Sequence, residues 1–120
     1  YISVTGVQTC ALPICDVIFN IGHTALVMGA LASGDTAVMR AAFTDRLHQD
    51  VRLAAAPSSK KALEAALSTS AWAAWLSGSG PTIAVMCAKA DAASISSALP
   101  TDGATHVLAI DADGAVITVE

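Results

Sequence analysis

The string Leu76-Ser77-Gly78-Ser79-Gly80-Pro81-Thr82 is where this sequence could do chemistry. Two glycines two residues apart let backbone amides approach an anion with no Cβ in the way. Pro81 stiffens the exit. No Gly-Lys-Ser/Thr follows, so this is not a Walker loop. A strand rather than a helix is expected after it, so it is not a dinucleotide fingerprint either. Taken alone, the string reads as a glycine turn between strands. Arg52, taken alone, reads as a surface cation at a helix exit. His48 reads either as a positive group at a helix C-terminus or as a structural contact near a substrate. Asp111 and Asp113 flank one residue before Gly114, which is turn chemistry rather than a metal pair. Trp72 and Trp75 read as packing residues.

The elements that must position these groups follow from periodicity. Val17, Ile21, Ala25 and Met28 recur on one helical face, widened by Ile18 and Leu26, which predicts a helix over 16–33. Gly34 suits a left-handed helix end and Asp35 a cap for the next helix. That helix is expected over 35–48, with Val38, Met39, Ala42, Phe43 and Leu47 inward. Residues 52–57 read as a linker, and Ser58 or Ser59 as the cap of a third helix to about Thr69. Strands are expected over 72–76 and 82–88, and a short helix capped by Asp91 runs to Leu99. Two more strands, 105–110 and 115–119, flank Asp111-Ala112-Asp113-Gly114, a hairpin signal. Three helices followed by ββαβ(β), with a mainly antiparallel four-stranded sheet, imply a two-layer α+β domain.

Composition excludes several classes. Hydrophobic residues make up 54% of the 120 and charged ones 13%, enough for a core and unlike a disordered chain. The net charge of −4 comes with no basic run, so no nucleic-acid partner is expected. Mean hydropathy is +0.61, yet the uncharged stretch between Glu64 and Lys89 is broken by Ser, Thr, Gly and Pro. No membrane span is expected there, since a span needs roughly 20 mostly apolar residues in a row. Cys10, Cys15 and Cys87 show no metal-ligand spacing. Cys87 reads as a buried thiol in a reducing compartment. No cationic segment leads an apolar one, so no signal peptide is expected and the cytoplasm is the expected location.

The first residues are a separate matter. Val4 to Ile14 resembles the translation of a common sequencing adapter, codon for codon, and Cys15 then falls at the junction. Residues 1–15 are therefore expected to be adapter-derived and to lack defined packing over 1–14. Residues 16–120 are expected to form the domain, beginning at Asp16.

Leu76-Ser77-Gly78-Ser79-Gly80-Pro81-Thr82, following an alanine-rich helix, resembles the third conserved motif of the GHMP small-molecule kinases. Two upstream strings narrow the likeness. Asp16-Val17-Ile18-Phe19-Asn20-Ile21-Gly22 is similar to the start of the second-domain helix in the homoserine kinases of that superfamily. Asp45-Arg46-Leu47-His48-Gln49-Asp50-Val51-Arg52 resembles their Asp-Arg-Leu-His-Gln-x-x-Arg segment, and 108–115 their closing hairpin.

The resemblance implies a C-terminal GHMP kinase domain, related to the ferredoxin-like fold. It implies ATP-dependent phosphorylation of L-homoserine to O-phospho-L-homoserine, on the route to threonine. The catalytic residues, and most contacts to ATP and Mg²⁺, would lie in a first domain that this stretch lacks, so the piece alone is expected to be inactive. Gly78, Ser79, Gly80 and Thr82 carry over as the phosphate-side loop. Arg52 carries over as the clamp for the amino-acid carboxylate. His23 stands where these kinases usually carry Arg, which weakens its claim as a second substrate contact. No metal ligand set is assigned within this half. The partners implied are L-homoserine and the first kinase domain, with a homodimer left open. The alternatives are another GHMP small-molecule kinase, or a free-standing α+β module that binds a small molecule or partner without catalysis.

Overall fold

The computed structural model of this chain describes residues 14–117. The expectation that residues 1–14 lack packing falls on 1–13, which lie outside the described residues. Ile14 opens helix α1 (Ile14–Ser33). Gly34 then adopts φ +70°, and the Asp35 amide donates to Ala30 O at 3.0 Å, ending the helix as its sequence promised.

The helix expected over 35–48 ends early, at Ala42. The Asp35 side chain accepts from the Ala37 amide and caps a short 3₁₀ turn, Thr36–Val38, which leads into α2 (Met39–Ala42). A new helix, α3 (Gln49–Ala54), begins just past Asp45. The break has a local cause. The Asp45 carboxylate accepts from the Leu47, His48 and Gln49 amides, satisfying donors that a continuous helix would send to the preceding turn. Arg52 is therefore in a helix and not in a linker. Helix α4 (Pro57–Leu67) begins with Pro57 in its first turn and has no side-chain cap. Ser59, expected as a candidate cap, is buried instead and donates to Pro81 O at 2.6 Å.

Strands β1 (Ala73–Leu76) and β2 (Ile83–Met86) pair antiparallel in the register Ala73↔Met86 to Leu76↔Ile83. A 3₁₀ turn, Lys89–Asp91, then leads into α5 (Ala92–Ala98). Asp91 makes no capping bond there; its carboxylate accepts from Ser70 Oγ at 3.2 Å. Strand periodicity divides the core. Ala74 and Leu76 face Leu53, Leu63 and Ala66, with Ile83, Val85 and Leu99 packed alongside. Ala73 belongs with Ala30 and Met39 on the other side, where Trp75 stacks on Phe43 at 4.1 Å. Helices thus cover both faces of β1, whereas a two-layer arrangement covers one. The narrow Ala73-Ala74 pair lets both sets approach closely.

The expected four-stranded sheet is absent among the described residues, where only β1 and β2 pair. Residues 105–110 form no strand, and 118–119 of the last expected strand lie outside the described residues. Alternating apolar residues stabilise a strand only where a face receives them. Here Val107 and Leu108 sit across an 810 Å³ cleft from β2 and α5. Ile110 is 94% exposed and Ile117 89%. The Asp111 side chain accepts from the Asp113 amide and Gly114 has φ +71°, so the turn forms without its hairpin.

The stripe expected to face inward from α1 is largely outward: Ile18, Ile21 and Met28 are each more than 60% exposed. What α1 packs is its other side, through Ala30 and through Asn20. By length and composition α1 is apolar enough to cross a membrane, a test that core helices of soluble proteins also pass. Cys87 is half-buried and free.

Candidate functional site

The loop between β1 and β2 is a tight turn. Gly80 N–H donates to Ser77 O at 3.0 Å, and Ser77 N–H to Thr82 O at 2.9 Å. Gly78 has φ +55° and, among the described residues, no non-glycine residue has positive φ, the pattern of a type II′ turn. Gly80 has φ +81° and packs over Leu76. Among the described residues the amides of Gly78 and Ser79 have no partner. Two adjacent open donors with no Cβ on the first are suited to an anion.

Three side chains hold this turn by its backbone. Gln49 Oε1 accepts from Leu76 N–H at 2.8 Å at the entrance. Arg52 donates through a guanidinium nitrogen to Ser79 O at 3.2 Å at the tip. Ser59 donates to Pro81 O at the exit. Two loop carbonyls are thereby occupied, while the tip amides stay open. Among the described residues Arg52 makes no ion pair, so most of its fork remains available to a carboxylate.

The helix carrying Gln49 and Arg52 is fixed from α1. Asn20 donates to the second Asp45 oxygen at 2.6 Å and accepts from the Arg46 amide at 3.0 Å. The Arg46 guanidinium lies 3.7 Å over the Phe19 ring, which in turn stacks on His23. Partial burial pushes the Asp45 carboxyl's pKa up. The Gln49 and His48 amides, the Asn20 side chain and the Leu47 amide outweigh it, so the group titrates below the ordinary carboxylate range. Such a group contributes stability that is complete above the unfolded value near pH 4 and lost as pH falls through the lowered folded value. Thermal unfolding between pH 7 and pH 2.5 should therefore show an acid loss in the native chain that Asp45→Asn lacks. Parallel curves for the two proteins would contradict this.

Of the residues singled out from sequence, Arg52 and the loop are brought together. His23 is not in contact with them. Its Nδ1 pairs with Phe19 O at 2.9 Å, and its ring lines a 310 Å³ cleft with Asp45, His48, Gln49 and Leu76. Thr82 lies on the separate cleft beside β2. Asn20, Gln49 and Ser59 were missed as site residues. Gln49 lay inside the string that drew attention, but nothing in its type announces a partner 27 residues away. Among the described residues no group of three His, Cys, Asp or Glu could hold a metal ion.

Comparison with known proteins completes the picture. The family model described as GHMP kinases C terminal matches residues 27–105. A homoserine kinase of Thermus thermophilus is 38% identical over 103 residues, covering 82% of this chain and 35% of the relative. One from Desulfitobacterium hafniense is 32% identical over 109 residues, with 85% and 37% covered. One from Gloeobacter violaceus is 34% identical over 113 residues, with 91% and 38% covered. The chain thus spans little more than a third of the length of these relatives. No solved structure matches.

Proposed function

We propose, from the premise that this chain belongs to the GHMP kinase family and represents its C-terminal domain, that it is the C-terminal part of a homoserine kinase. The reaction is transfer of a phosphoryl group from ATP to the side-chain hydroxyl of L-homoserine, which loses its proton as O-phospho-L-homoserine and ADP form. Relatives carrying the name homoserine kinase, matched over most of this chain, support the substrate. The observation that carries the reading is the Arg52–Ser79 contact, which holds a cation beside two open amides on one turn.

Gly78, Ser79, Gly80 and Thr82 would form the side of the site that faces phosphate. Open amides suit phosphate oxygens because they are fixed donors that need no reorganisation when negative charge builds up. Arg52 would hold the substrate carboxylate in two-point geometry. His23, its Nδ1 already engaged by Phe19 O, would be a weaker second contact. Mg²⁺, which neutralises phosphate charge when bound, would be held with most of the nucleotide by the remaining two thirds of the enzyme. Such a biosynthetic kinase would work in the cytoplasm.

Homoserine-dependent ADP release by the longer kinase tests the reading. Turnover with another small alcohol and none with homoserine would move the assignment elsewhere in the family. The 120-residue chain by itself should turn over no ATP with homoserine. A rate clearly above a no-protein control would overturn that expectation.

A further inference from the structure

We infer that Gln49 is a positioning residue, whose side-chain carbonyl sets the third-motif turn in its working place. The inference rests on the kinase reading for its functional consequence, but its geometry stands apart from it. Ser77 N–H donates across the hairpin to Thr82 O. Alternate residues of a strand point their amides to opposite edges, so Leu76 N–H faces away from β2. No strand lies on that edge of β1 among the described residues. A backbone donor on a buried residue there needs a partner, and Gln49 Oε1 is that partner at 2.8 Å.

Leu76 is the last residue of β1, and Ser77 begins the turn. A bond at Leu76 therefore fixes the point from which the turn springs. Gln49 is itself fixed, because its own amide donates to Asp45 Oδ1 at 2.9 Å. Asp45 is tied in turn to Asn20 on α1. A rigid line thus runs from the long helix through the first turn of α3 to the entrance of the loop. Its effect on phosphoryl transfer is indirect: Gln49 touches no reacting group, and it holds the open Gly78 and Ser79 amides at one height. Small misplacements of such donors cost rate more than ground-state binding.

Two variants separate this from a packing role. Gln49→Met keeps the length and removes the acceptor; Gln49→Glu keeps an oxygen in place. In the 120-residue chain, amide hydrogen exchange should find Leu76 about tenfold or more slower than Gly78 and Ser79. Gln49→Met should abolish that difference and Gln49→Glu keep it. In the longer kinase, Gln49→Met should lower kcat about tenfold with the KM for homoserine within about threefold, and Gln49→Glu should recover most of the loss. Equal exchange at Leu76, Gly78 and Ser79 in the unmodified chain overturns the inference, even if Gln49→Met cannot be folded. So does a Gln49→Met enzyme with native kcat, or a Gln49→Glu enzyme as impaired as Gln49→Met. Absence of homoserine turnover in the unmodified longer kinase would instead strike the functional reading, while the exchange comparison still decides whether Gln49 holds the loop.

Discussion

Replacing Arg52 by alanine in the longer kinase should lower kcat/KM for homoserine by between about tenfold and a hundredfold. A charge-assisted hydrogen bond to a carboxylate contributes roughly 1.5–3 kcal/mol, and each ~1.4 kcal/mol is a factor of ten. Arg52 also donates to Ser79 O, so the substitution removes a restraint on the turn besides the proposed substrate contact. Arg52→Lys distinguishes the two contributions. Lysine keeps the charge but not the fork, and it should restore the turn more than the two-point grip. Stability should move little, because Arg52 is exposed and a single exposed bond contributes about 1 kcal/mol or less. His23→Ala should cost less activity than Arg52→Ala, since the ring is committed to Phe19. Native kinetics in Arg52→Ala would remove Arg52 from the site. A large fall in melting temperature without a kinetic defect would make it structural.

The parts of this molecule that were legible in the sequence are those with local causes. Gly34 ends α1 with positive φ and Asp35 caps the next turn, each readable from one residue type at one boundary. The glycine turn between two short strands was equally plain, because neither glycine can be replaced without cost at positive φ. What could not be read depended on competition between distant groups. Asp45 looked like one more polar residue on a continuous helix. It breaks that helix because three following amides find its carboxylate and Asn20, 25 residues away, takes the second oxygen. Ser59 had the chemistry of a cap, yet Pro57 already starts α4, and its hydroxyl serves the loop exit instead. The absence of outer strands among the described residues shows the same limit from the other side. Val107, Leu108 and Ile110 have strand chemistry, but patterning alone supplies no surface for them to pack on. The apolar stripe of α1 is likewise real but does not say which side of it this chain covers. The candidate site was half legible for this reason: its glycines and Arg52 take a role only from the family resemblance of their strings, whereas Gln49 acts through where β1 places an amide.

Gly80→Ala should destabilise the chain by about 2–5 kcal/mol, the largest stability loss expected for any single change in the loop. Two independent contributions add. An alanine at φ +81° costs roughly 1–2 kcal/mol for the left-handed backbone alone. Its Cβ would also lie 2.9 Å from a Leu76 methyl carbon, closer than two carbons can approach. Leu76 is 4% exposed and packs with Leu53, Leu63 and Ala66, so moving its methyl disturbs that packing. Forcing extra volume against a packed core costs typically 1–3 kcal/mol. Gly78 is the internal control: it too has positive φ, but a Cβ there meets nothing within 4 Å. Gly78→Ala should therefore lose only the backbone contribution. For a domain of this size ~1 kcal/mol shifts the melting temperature by roughly 4–8 °C, so thermal unfolding of the two variants resolves the difference. A Gly80→Ala chain that melts with Gly78→Ala would show that Leu76 yields freely. The displacement of Leu76 has a further consequence, because its N–H is the group that Gln49 holds. Gly80→Ala should accordingly speed Leu76 amide exchange while Gly78→Ala leaves it protected, tying the core under the turn to the placement of the amides above it.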